Sequence, residues 1–177
     1  MESEILKDRE VVAAQIGRPP RGQFDVSVRC SFGYPQVIRV HPMVRGKPFP
    51  TLYWLTCPLL SLEIDHLEAA GWVKRLEDRM IAEPDLRSAM QTGHRRYAQQ
   101  RDRALSSDDR AALEASGMVA GLIGRGIGGI SDWDYLKCLH LHVAHGLADE
   151  NAIASIVLDM LPARECSSKQ VICSAYE

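Results

Sequence analysis

The spacing of apolar residues changes character near Pro58. Between Phe24 and Cys30 apolar and polar residues alternate, which puts Phe24, Val26, Val28 and Cys30 on one face of a half-buried strand. Gly33-Tyr34-Pro35 turns the chain, and Gln36 to Val40 predicts a second strand pairing with the first as a hairpin. A further turn spans Pro42 to Pro50. The short β-prone run Thr51 to Cys57 follows, and Pro58 stops it.

Beyond Pro58 the period becomes helical. Leu59, Leu62, Leu67, Trp72, Val73 and Leu76 predict one helix, or two broken at Gly71, over residues 59–80. Pro84 suits the first turn of a helix reaching about Arg103. Ser106 to Asp109 offers caps for a helix to about Ala115, and Ser131-Asp132 offers caps for the histidine-bearing helix that follows. Asn151 to Leu161 predicts a last helix, stopped by Pro162. At the other end, Glu2 to Gln15 predicts a short helix with Ile5, Val12 and Ile16 as its sparse apolar side. The loop Gly17-Arg18-Pro19-Pro20-Arg21-Gly22 ends it.

These elements predict an α+β fold, with a small antiparallel sheet in the N-terminal third packed against four to six helices. A chain of 177 residues can bury about 70% of its unfolded surface, enough for one core. We expect a single domain over residues 1–162 and a polar tail over residues 163–177.

Composition mainly excludes. A net charge of −2 gives no basic field for nucleic acid or anionic lipid. No apolar run is long enough to cross a membrane. The first ten residues are polar and lack a signal-peptide core, so the cytoplasm is the expected compartment. The five cysteines stay reduced there, which favours metal binding or catalysis over disulfides.

The chemistry concentrates in Lys137 to His145. On a continuous helix Cys138, His142 and His145 fall at i, i+4 and i+7, in one stripe opposite the apolar arc of Leu136, Leu139, Val143, Ala144 and Leu147. His140 falls inside that arc and is expected to be a core histidine. Thiolate and imidazole are preferred ligands of zinc and several redox metals. One helix cannot complete a tetrahedron, so further ligands must come from elsewhere. Cys30 and Cys57 end strands, and Cys57 precedes a proline, as iron–sulfur ligands often do. The expected site therefore holds a metal ion or an iron–sulfur cluster on Cys30, Cys57, Cys138 and His142, with His142 and His145 as proton-transfer groups. Cys166 and Cys173, in the tail, are expected to stay free.

A metal-free reading uses Arg18, Arg21, Arg29 and Arg125. With the Gly124 to Gly129 loop, which precedes a helix, they would bind a small anion such as phosphate, while His142 or His145 served a hydrolase-like enzyme as general base. A third reading is a regulatory interaction protein without catalysis.

The long run Pro48-Phe49-Pro50-Thr51-Leu52-Tyr53-Trp54-Leu55-Thr56-Cys57-Pro58, together with Gly17 to Gly22, Val28-Arg29-Cys30 and Lys137 to His145, resembles a bacterial family of uncharacterised proteins, number 501 among the domains of unknown function. The resemblance covers residues 11–150. It implies a small bacterial cytoplasmic protein whose marked blocks are the Cys- and His-bearing ones, and it brings no established activity. After the histidines the family's Asn-Pro-Val-Gly-like turn is replaced here by Ala148-Asp149-Glu150-Asn151-Ala152-Ile153.

Overall fold

A computed structural model describes residues 2–176 and shows the α+β architecture. Helix α1 (Glu2–Gln15) leads into β1 (Phe24–Arg29) and β2 (Pro35–Val40). The predicted second turn contains its own small hairpin, β3 (Met43–Val44) and β4 (Lys47–Pro48). Both residues between them, Arg45 and Gly46, have positive φ (51° and 72°), the two-residue turn whose twist matches paired strands. Strand β5 (Tyr53–Leu55) completes a three-stranded antiparallel sheet in the order β1-β2-β5.

Among the described residues, five longer α-helices and two shorter ones make up the helical layer. They are α1, α2 (Pro58–Ala69), α3 (Trp72–Ala82), α4 (Pro84–Arg103), α5 (Ser107–Ala115), α6 (Leu139–Ala148) and α7 (Ala152–Met160). Gly71, at φ 81°, separates α2 from α3, a conformation that side chains with a Cβ disfavour. Ser106 and Asp109 form a reciprocal capping box at the start of α5.

β2 is the central strand, and only Arg39 of its six residues is exposed. Its alternate residues serve two cores. Ile38 and Val40 pack with Val12 of α1 on one face, while Val37 on the other joins Tyr53, Leu139 and Val143 in the larger core. The register of β1 slips between Val26 and Val28. Phe24 and Val26 therefore keep the α1 side, and Val28 turns to the larger core, so the predicted single apolar face of β1 is split by a bulge. Val12 and Ile16 lie on the predicted apolar side of α1; the side chain of Ile5 lies outside those described.

One further expectation is corrected. The histidine-bearing helix does not begin at Ser131-Asp132. Residues 130–138 are irregular, held by Asp132 Oδ1 accepting from the Asp134 N–H at 3.0 Å and Glu77 Oε1 accepting from the Leu136 N–H at 3.0 Å. The segment after Pro162 packs on the domain: Cys173 is buried, and a 3-10 turn at Ile172–Tyr176 sits against α1 and α2. No helix among the described residues is long and apolar enough to cross a membrane.

Candidate metal centre and the buried histidine network

Helix α6 lies at the middle of the molecule, packed against β5, α7 and α2. It is therefore buried on more than one side, and its helical wheel does not divide simply into core and solvent. His142 and His145, placed by their spacing on the face opposite the apolar arc, are both 0% exposed. His140, placed in the arc, is the one that reaches the surface, with 26% of its side chain exposed.

Cys138 is not on the helix. It occupies the N-cap position with extended backbone (φ −166°), so the predicted i, i+4, i+7 stripe does not form. The turn instead points Cys138 and His140 toward Glu68 at the end of α2. Glu68 Oε1 accepts from the backbone N–H groups of Leu139 and His140, capping α6 from another helix. The same oxygen lies 3.1 Å from His140 Nδ1. His140 Nε2 lies 3.3 Å from the Ser61 carbonyl and 3.4 Å from an Asp65 carboxylate oxygen. One donor atom from each of Glu68, Cys138 and His140 falls within 4.8 Å of the others, which is the single such group of three among the described residues. The neighbouring Cys138 thiol and the Glu68 carboxylate outweigh burial and push the His140 imidazole up to about 9.

Behind this surface group, His142 and His145 share one partner. Asn151 caps α7, its Oδ1 accepting from the Ala154 N–H at 2.9 Å. That bond fixes which end of the amide faces the histidines. Nδ2 donates to His142 Nδ1 at 3.3 Å and to His145 Nδ1 at 3.2 Å, so both rings carry their proton on Nε2. A third buried ring, His94 of α4, accepts from the Ile127 N–H at 3.0 Å through its own Nδ1 and is fixed in the same tautomer. It stacks on Trp133 with ring centroids 5.5 Å apart and meets His142 edge-on at 6.1 Å. His145 lies between Tyr53 and Tyr97, at 5.8 and 5.1 Å. Burial pushes His142 down to about 3 and His94 and His145 to about 4, so all three are neutral. The Nε2 atoms of these rings have no hydrogen-bond partner among the described residues. In this tautomer each Nε2 carries the proton, and that of His145 lies 3.8 Å from an Asp149 carboxylate oxygen.

The group of three that forms among the described residues is not the predicted metal set. Cys30, Cys57 and Cys138 form no group with donor atoms within 4.8 Å, and Cys138 is gathered with His140 rather than with His142. Glu68 carried no signal in the sequence, because nothing in the pattern of α2 marks it as facing α6. The predicted anion-binding arginines are also scattered. Arg18 lies over the Trp54 ring at 4.8 Å, Arg29 forms a two-pronged pair with Asp8, Arg125 donates to the Ala120 carbonyl, and Arg21 lines a separate groove beside Arg9 and Arg45. The glycine loop turns the carbonyls of Arg125 and Gly126 inward, and its Ile127 N–H is taken by His94. Arg101, 1% exposed, donates to the carbonyls of Pro50, Leu122, Arg125 and Gly126. A cation, not an anion, is what this loop wraps.

The fold and site together define a small α+β protein whose central helix is capped by a carboxylate, with a thiol and an imidazole beside it, over a core of neutral histidines. The chain belongs to the family described as Protein of unknown function (DUF501), which it matches over residues 26–159. No curated protein and no solved structure matches it.

Proposed function

We propose that this chain binds a divalent metal ion of the zinc type through Glu68, Cys138 and His140. The observation that carries the reading is the convergence of the three donor atoms within 4.8 Å. Carboxylate, thiolate and imidazole are all zinc ligands, and a site with three protein ligands leaves a position for water or substrate. That open position could polarise a carbonyl or phosphoryl oxygen or lower the pKa of a bound water.

Three local features support a cation here. The acceptors around His140 (Glu68, the Ser61 carbonyl and Asp65) give the pocket negative character, and in the metal-free protein a proton on His140 answers it. Two ligands are anchored by backbone: Cys138 and His140 flank the first residue of α6, and Glu68 is fixed by the α6 N–H groups. All three side chains are half-buried, so an ion can enter.

Calorimetric titration of metal-free protein with zinc tests the reading. One equivalent is expected to bind, with protons released as the ion displaces them from Cys138 and His140. Cys138→Ser and His140→Ala are each expected to weaken binding by more than about tenfold. Unchanged binding in both variants would exclude the site.

A further inference from the structure

Three segments of the chain each bring an arginine to one groove of about 580 Å³. Arg9 comes from α1, Arg21 from the loop that follows it, and Arg45 from the tip of the β3–β4 hairpin. No carboxylate is among the described residues that line this groove. The whole chain carries a net charge of −2, so the concentration of guanidinium groups is local to this surface.

Packing between the loop and the hairpin fixes the groove. Gly22 has φ 70°, and a Cβ there would lie 2.8 Å from Val44 Cγ2, so glycine is what lets the loop close on the hairpin. Arg9 Nη2 donates to the Pro20 carbonyl at 3.4 Å and to the Gly22 carbonyl at 3.3 Å, and its guanidinium lies 5.5 Å from the Phe24 ring centroid. Held through that one nitrogen, Arg9 keeps its other donors for a ligand. Arg21 and Arg45 make no hydrogen bond or ion pair with the described residues. Arg45 is also the one residue other than glycine with positive φ among those described, at 51°. The turn favours asparagine or glycine at that position, so a long cation sits where the backbone disfavours it.

The geometry points to a binding site for a small anion carrying two or more phosphate groups. Each guanidinium offers a planar fork that pairs with two phosphate oxygens. One phosphate monoester has three such oxygens, so three forks call for a second phosphate. No aromatic side chain is among the lining residues, which leaves the phosphates rather than a nucleobase as the part recognised. Of the four arginines that the sequence suggests for an anion, Arg21 alone lines this groove. The groove shares no residue with Glu68, Cys138 and His140, so either site can fail without the other.

The test is calorimetric titration of the metal-free full chain with inorganic pyrophosphate, with sulfate and a single-stranded RNA as separate arms. Pyrophosphate is expected to bind at one equivalent, more tightly than sulfate, with an affinity that falls as salt rises. Arg21→Ala and Arg45→Asn should each weaken binding by about tenfold. Arg95→Ala, outside the groove, should leave it unchanged. Arg45→Asn supplies a residue that the turn favours, so its thermal midpoint should hold or rise while affinity falls, which separates lost binding from lost folding. Absence of pyrophosphate binding overturns the proposal, as does binding that survives both Arg21→Ala and Arg45→Asn. Sulfate bound as tightly as pyrophosphate would mark an adventitious ion only and overturn it too. RNA bound where pyrophosphate is not would overturn it in favour of a polymer.

Discussion

Glu68 Oε1 lies 3.1 Å from Nδ1 of His140 and accepts from the backbone N–H of that same residue, so one carboxylate both caps helix α6 and fixes the imidazole beside Cys138. The cap gives the pair a structural reason to exist, and the thiol beside it gives the pair a chemical one.

Titration of His140 follows from this arrangement. In metal-free protein its pKa is expected near 9, raised first by the Cys138 thiol and next by Glu68. Histidine resonances followed by NMR should show it. Cys138→Ser should lower the value more than Glu68→Gln, and the reverse order would contradict the assignment of causes. Because the folded pKa exceeds the unfolded value of about 6.5, the proton contributes stability fully below that pH. The contribution is lost as pH rises through 9.

The buried histidines act in the opposite direction. His94, His142 and His145 titrate at about 4, 3 and 4 in the folded chain, below the unfolded value of about 6.5. As pH falls from 6.5, the unfolded state takes up their protons first. Stability is expected to be insensitive to these groups above pH 6.5 and to fall steadily toward pH 4. Each proton contributes about 1.4 kcal/mol per pH unit to the steepest slope. Urea unfolding at a series of pH values checks this, and a flat profile between pH 6.5 and 4.5 would contradict it.

Asn151 serves two structures at once, the α7 cap and the tautomers of two histidines. Asn151→Ala removes a cap and leaves two buried ring nitrogens without a donor, and is expected to cost about 2–4 kcal/mol in chemical denaturation. Asn151→Asp keeps the cap oxygen and loses the donor. It should retain part of that stability and shift the proton of His142 or His145 to Nδ1, a change that nitrogen chemical shifts report.

The Arg101 guanidinium is buried among four carbonyls, and burial pulls its pKa down. Lysine cannot reproduce the planar fork, so Arg101→Lys should destabilise the chain by about 2–5 kcal/mol and loosen the loop from Leu122 to Gly126. Proteolysis of that loop should rise in parallel.

The sheet and the helix breaks were legible in the sequence because they depend on neighbours along the chain. Alternation marks β1, Gly71 divides α2 from α3, Pro84 opens α4, and Ser106 with Asp109 caps α5. The site was less legible, because its geometry depends on neighbours in space. The wheel of α6 presumes one buried face, but α6 is packed between the sheet and other helices, so His142 and His145 went inward and His140 outward. Cys138 was singled out as a helical residue, but its extended backbone removes it from the helix and gives it Glu68 as a neighbour in place of His142. The C-terminal segment read as a polar tail, and its contact with the sheet, Ser31 to Glu165 across 134 residues, leaves no local pattern in the sequence.

Cobalt(II) binding tests the central claim most directly, because a cobalt ion reports its own ligands. Metal-free protein titrated with cobalt should develop a sulfur-to-cobalt charge-transfer band and visible ligand-field bands at one equivalent. The charge-transfer band should vanish in Cys138→Ser and the ligand-field bands should change in His140→Ala, with both features intact in Cys57→Ser. A charge-transfer band that persists in Cys138→Ser, or disappears in Cys57→Ser, would contradict a site built on Glu68, Cys138 and His140.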